Sequence, residues 1–303
     1  MHINKTEIYI LSGFLGSGKT TLLKELLIKE KEAGRKVAVL MNEFGSISID
    51  SNEVDKDVPL KELLGGCVCC TIQDKLEAQL QTLLIEENPD VIYLETTGAA
   101  HPVETMDTIL SPLLAHKLQL KGIITVVDGL QWLNRRELSP IIQQLVLEQV
   151  RHANLLIINK QDTLTEEKKA RITMEIQGIN PFAPALLTNH SKIPYSKIQN
   201  IKAHFHKELE RTTIKSMQLT SYIYTFQKTI SFEKFDDFLR SLPEMIYRIK
   251  GYVQFEDSAY PDLFQYSYGT PIFMREEMNL PLNMVFIGEN IDWKEIEQKL
   301  ERL

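Results

Sequence analysis

Between residues 7 and 188, short β-rich runs alternate with segments whose apolar positions recur every three or four residues. The runs EIYILSG (7–13), KVAVLMN (36–42), DVIYLET (90–96), GIITVVD (122–128), NLLIINK (154–160) and APALLT (183–188) are predicted strands. Several are apolar almost throughout, which is the pattern of strands covered on both faces, so the expectation is a mostly parallel sheet flanked by helices. Within 19–33, Leu22, Leu23, Leu26 and Leu27 fall on one helical face, and Gly34 supplies a stop. After about residue 190 the alternation breaks into a polar stretch, so the first domain is read as 1–190 and a connection as 191–216. The remainder, 217–303, is predicted as a small α+β domain of order βαβββα: a strand at 219–226, a helix at 232–242, strands at 249–256, 262–268 and 283–288, and a terminal helix in DWKEIEQKLERL.

Composition is that of an ordinary folded chain, 43% hydrophobic and 25% charged over 303 residues. The longest apolar runs, such as IITVV at 123–127 and LLII at 155–158, fall far short of the roughly 20 residues that cross a bilayer, so no membrane partner is expected. A net charge of -7 offers no broad basic surface, so nucleic acid is not expected either. All three cysteines, Cys67, Cys69 and Cys70, lie in one window, GGCVCC. Adjacent cysteines sit about 3.8 Å apart at Cα, too close for a relaxed disulfide. The start, MHINKTEIYI, lacks the features of a secretory leader. Reduced thiols in the cytoplasm are therefore expected, acting either as soft ligands for zinc or copper(I) or as redox groups.

The strongest chemical signal is G-x-x-x-x-G-K-T at Gly13 to Thr20, a pattern that arises by chance in roughly one chain in a hundred of this length. It lies between a predicted strand and a predicted helix, the context a phosphate loop requires. Gly13, Gly16, Ser17 and Gly18 let backbone amides turn toward phosphate oxygens, Lys19 brings a positive charge, and Thr20, followed by Thr21, offers a hydroxyl to magnesium. NKQD, Asn159 to Asp162 with Lys160 between, ends a later strand. A carboxylate at Asp162 can accept from N1 and the exocyclic amine of guanine, a donor face adenine lacks, so GTP and GDP are the expected nucleotides. ETTG, Glu95 to Gly98, closes another strand; Glu95 can hold magnesium, and the Gly98 amide can approach the γ-phosphate as a switch. NEFG, with Asn42 and Glu43, is a second candidate switch.

In this order GFLGSGKTT, NEFG, GGCVCC, ETTG, VVD and NKQD resemble the CobW-type GTPases that serve as metallochaperones, over most of residues 7–188; the second domain, with its MVFIG run, resembles the C-terminal domain of that family. The resemblance implies a P-loop fold hydrolysing GTP to GDP and phosphate, with Lys19 and Glu95 in catalytic roles. It also implies zinc, or a related divalent metal such as cobalt, at Cys67, Cys69 and Cys70, and transfer of that metal to a client metalloprotein; a homo-oligomer is compatible with it. A nucleotide-controlled metal buffer or sensor is the alternative, and Asp162 argues against a third reading as an ATP-dependent kinase. The chain departs from the family pattern in two places: Ser46 stands after NEFG where many relatives carry an acidic residue, and His101 stands where they carry Asp. His204 and His206 form the only close histidine pair and read as solvated residues of the connection.

Overall fold

The computed structural model describes residues 5–41, 60–62, 72–201, 219–267 and 269–303. Contacts divide the chain into two compact units, Met1–Thr108 with Lys117–Ala203, and Ile109–His116 with His204–Leu303.

The described part of the first unit is built on strands β1 (Thr6–Ser12), β2 (Val37–Met41), β3 (Leu60–Glu62), β4 (Val91–Glu95), β5 (Leu118–Asp128), β6 (Leu155–Asn159) and β7 (Ala185–Leu187). They pair in the order β3-β2-β4-β1-β5-β6-β7, every pairing parallel. The helices are α1 (Lys19–Glu32), α2 (Ile72–Glu86), α3 (Pro102–Ile109), α4 (Gly129–Leu133), α5 (Pro140–Arg151), α6 (Glu166–Ile179) and α7 (Tyr195–Gln199). Every residue of β2, β4 and β6 is buried, the expected outcome of apolar strands covered on both faces. One apolar cluster joins Tyr9, Leu11, Val39 and Ile124 of the sheet to Leu22, Leu23 and Leu26 of α1. Another joins Val127, Leu156 and Ile158 to Trp132, Val146, Val150, Ile172 and Ile176. Each fully buried aliphatic side chain contributes about 1.5–3 kcal/mol relative to exposure. The sequence reading matches α1 and six strands closely; β3 is additional, and β5 begins four residues earlier than its apolar run.

Strand order decides where a ligand can sit. The chain leaves β1 for β2 on one side and leaves β4 for β5 on the other, so the loops after β1, β4, β5 and β6 emerge side by side at the carboxyl edge. In the stretch from 191 onward, read as connection, Ile198 of α7 and Ile201, just past it, are buried in the first unit's core.

The second unit contains β8 (Leu219–Thr225), α8 (Phe232–Arg240), β9 (Ile246–Val253), β10 (Asp262–Ser267), β11 (Thr270–Arg275), β12 (Asn283–Glu289) and α9 (Trp293–Glu301). Its described strands form a five-stranded antiparallel sheet, β11-β10-β9-β12-β8. Phe235 of α8, Phe264 and Phe286 of the sheet, and Trp293, Ile296 and Leu300 of α9 make its core. The order is thus βαββββα, one strand more than expected. The extra strand is β11, whose Pro271 and largely exposed side chains conceal it; proline is tolerated there because β11 is an edge. Residues 109–116 belong to this unit through Asn283, whose side chain accepts from Thr225 Oγ1 at 2.9 Å and donates to Pro112 O at 3.1 Å. His116 Nε2 lies 2.8 Å from Asn283 Oδ1.

Candidate functional site

Residues 13–18 connect β1 to α1 with three glycines at positive φ: Gly13 at 132°, Gly16 at 73° and Gly18 at 110°. Conformation is only part of the reason glycine is needed. A Cβ on Gly13 would stand 2.1 Å from the Val126 carbonyl oxygen, and one on Gly18 2.4 Å from Asn159 Nδ2. The loop is closed by a turn in which Ser17 N–H donates to Phe14 O at 3.2 Å. Lys19, 8% exposed, reaches back over it, donating to Gly13 O at 2.8 Å and Phe14 O at 3.3 Å. Burial lowers the pKa of this ammonium, and the nearby negative charge of Glu95 opposes the shift. A phosphate brought to this loop would favour the charged form further.

Next to Lys19, the Thr20 hydroxyl donates to Glu95 Oε1 at 2.7 Å, joining the start of α1 to the end of β4. β1 and β4 run in register here, with Leu11 opposite Glu95, and Thr96 continues the pairing through its N–H to Leu11 O at 3.0 Å. Gly98 follows so closely that a Cβ would lie 2.6 Å from the Leu15 backbone nitrogen. ETTG and the glycine loop are therefore in direct contact.

NKQD works through several partners. Asn159 is buried; its Nδ2 donates to Ser17 O at 2.9 Å and its Oδ1 accepts from Ser191 N–H at 2.9 Å, while Ser191 Oγ donates to Gly18 O at 3.1 Å. Lys160, at φ 59°, sends its ammonium to Asp128 Oδ2 at 2.6 Å. Asp128 in turn caps α4, accepting from Leu130 N–H at 3.0 Å and Gln131 N–H at 3.1 Å. Asp162 is exposed on the turn 161–163, its N–H held by Asn189 Oδ1 at 3.0 Å. Gly13, Gly16, Ser17, Gly18, Lys19, Thr20, Glu95, Gly98, Asn159, Lys160 and Asp162 thus all lie along the carboxyl edge of one sheet; Thr21, the second residue past the lysine, is exposed.

Cys67, Cys69, Cys70, Asn42, Glu43, Ser46, His204 and His206 lie outside the described residues. Among the described residues no group of three His, Cys, Asp or Glu side chains is gathered to hold a metal, and no helix is long and apolar enough to cross a membrane. His101 is half-buried. Its Nδ1 accepts from Val103 N–H at 3.3 Å, a capping contact at the start of α3, and its ring centroid is 6.4 Å from that of His152. Burial first, and the neighbouring His152 second, lower its pKa.

Two participants, Ser191 and Gln149, escaped sequence reasoning, and Asp128 stands in the VVD run without its role there being legible. Ser191 lies in the turn that follows β7, a place where polar residues are common. Gln149 carried a usable signal: it is a polar position inside the apolar stripe of Val146 and Val150 on α5, and it is buried.

A parallel sheet with a glycine loop and buried lysine at its carboxyl edge defines a P-loop nucleotide-binding protein. The chain belongs to the CobW/HypB/UreG family: residues 7–186 match its nucleotide-binding domain, and residues 219–303 match the cobalamin synthesis protein CobW C-terminal domain. Among its relatives is the zinc-regulated GTPase metalloprotein activator 1 of Dictyostelium discoideum, 28% identical over 76% of this chain and 58% of that protein. The Escherichia coli zinc chaperone YjiA is 30% identical over 76% of this chain and 71% of its own length. The match to the amoebal relative thus leaves over a third of that protein uncovered. The crystal structure of zinc-bound YjiA GTPase from E. coli superposes over 99% of both chains with a TM-score of 0.52 at 22% identity, a likeness of fold.

Proposed function

We propose that this chain is a GTP-hydrolysing metallochaperone, which binds zinc or a related divalent metal and couples nucleotide state to its transfer to a client metalloprotein in the cytoplasm. The observation that carries the GTPase half is the 2.7 Å contact of Thr20 with Glu95 beside the buried Lys19. A hydroxyl and a carboxylate are the hard oxygen donors that magnesium prefers, so Thr20 and Glu95 would hold it. Magnesium, when bound, supplies a Lewis acid to the phosphate oxygens. Lys19 would neutralise charge on the β and γ phosphates, giving up its carbonyl partners to do so. Gly13, Gly16, Ser17, Gly18 and Thr21 would line the phosphates, Asn159 would hold the loop, Lys160 would flank the base and Asp162 would select guanine. Attack of water on the γ-phosphorus breaks its bond to the bridging oxygen and yields GDP and phosphate.

Support for the metal half comes from GGCVCC and from relatives named as zinc chaperones. Three thiolates at Cys67, Cys69 and Cys70 fill most of a tetrahedral shell and leave one position through which the metal can be handed on. Asn42 and Glu43 would carry the second switch, so metal and nucleotide would act on adjoining segments, reciprocally.

The test is a zinc titration against a competing chelator under reducing conditions, paired with GTP turnover, on the parent and on Cys67→Ser/Cys69→Ser/Cys70→Ser. The expected result is loss of about one zinc equivalent and of the zinc dependence of turnover, with basal hydrolysis retained. Undiminished zinc affinity in the triple variant would overturn the metal site. Lost affinity with turnover indifferent to zinc in both proteins would make the protein a buffer.

A further inference from the structure

The loop 96–101 that follows Glu95 has a second attachment besides the glycine loop. Gln149, on α5, is 1% exposed, and its side-chain Nε2 donates to Gly98 O at 3.1 Å and to Ala100 O at 3.3 Å. Both hydrogens of one amide are thus used on two carbonyls of the loop. The backbone of Gln149 is itself braced, since its carbonyl accepts from Thr125 Oγ1 of β5 at 2.9 Å. A peptide unit is planar and trans, so turning the Gly98 carbonyl toward α5 turns the Ala99 N–H the opposite way. In keeping with this, Ala99 is exposed while Gly98 is buried against Leu15 of the glycine loop.

We infer that Gln149 is a positioning residue for GTP hydrolysis, clamping the Gly98 and Ala100 carbonyls so that the loop after Glu95 meets the γ-phosphate end of the nucleotide in one fixed geometry. The inference rests on the GTPase reading above. Gln149 acts through the loop and touches no phosphate. Its removal should therefore leave the glycine loop and the base reader intact, spare nucleotide affinity and slow the step that needs the loop. Misplacement of a supporting group by an ångström costs up to about a hundredfold in rate.

The experiment uses the full chain with Gln149→Met, which keeps length and removes both donors, and Thr125→Val, which loosens the brace but keeps the amide. For Gln149→Met, kcat should fall about tenfold or more while KM for GTP and the affinity for GDP stay within about twofold. Amide hydrogen exchange across 96–101 should accelerate in that variant alone. Thr125→Val should melt earlier yet keep kcat within about twofold. A folded Gln149→Met with unchanged kcat or unchanged exchange overturns the inference, as does parallel loss of turnover and GDP affinity, the mark of a merely structural residue. Should Gln149→Met fail to fold, the shorter Gln149→Asn, whose amide cannot reach both carbonyls, is judged by the same readouts. A parent without GTP turnover would sink the GTPase reading, and the exchange result would still decide the clamp.

Discussion

The two ends of α1 bury opposite charges and treat them differently. At its carboxyl end Glu30, 1% exposed, accepts from Tyr93 Oη at 2.6 Å and pairs with Arg35 at 3.3 Å. Arg35 also pairs with Glu7, and Glu7 with Lys121 at 3.1 Å. Burial would raise the Glu7 pKa, but the hydrogen bonds and charges of Arg35 and Lys121 outweigh it and the net shift is downward. Here charge answers charge. At the amino end, the hydrogen bonds of Lys19 go to the neutral carbonyls of Gly13 and Phe14. A buried ammonium hydrogen-bonded to dipoles gains when an anion arrives, whereas a carboxylate already paired with a cation gains less from a further charge. The amino end is organised for a ligand and the carboxyl end for stability.

Lys19→Ala should break this contrast most severely. Loss of the charge beside the transferring phosphoryl group is expected to lower kcat for GTP by about a thousandfold, measured by phosphate release. At the other end Arg35→Met would leave Glu30 buried without its cation, and the expected cost is about 3–5 kcal/mol in denaturant unfolding. GTP affinity of the folded fraction should be unchanged. Asp162→Asn sharpens the contrast within the site itself, because Asp162 is exposed on its turn, its N–H held by Asn189. It should cut the preference for GTP over ATP by about tenfold or more in competition binding, with hydrolysis of saturating GTP little altered.

Much of this was legible because a parallel sheet writes its strands as uninterrupted apolar runs, and because Gly13 to Thr20 needs little tertiary context to be read. What stayed hidden depends on partners far along the chain. LKE at 60–62 has no apolar signature and is a strand only because β2 offers it an edge. Asn159 reads as part of a base-recognition motif, yet its observed bonds tie Ser17 to Ser191, residues 142 and 32 positions away. Gln149 shows locally as one polar residue in an apolar stripe. Which carbonyls it holds follows from the crossing of α5 beside the loop after β4, a tertiary fact.

Turnover and unfolding stability measured side by side on Lys19→Ala and Arg35→Met test the division of labour most directly. The expected outcome is crossed. Lys19→Ala should unfold within about 1 kcal/mol of the parent and hydrolyse almost no GTP, since the hydrogen bonds of Lys19 go to backbone carbonyls and Glu95 keeps its bond from Thr20. Arg35→Met should be strongly destabilised yet, below its unfolding transition, turn over GTP within about twofold of the parent. Parallel loss of both properties in both variants would contradict the account, because the two ends of α1 would then share one role.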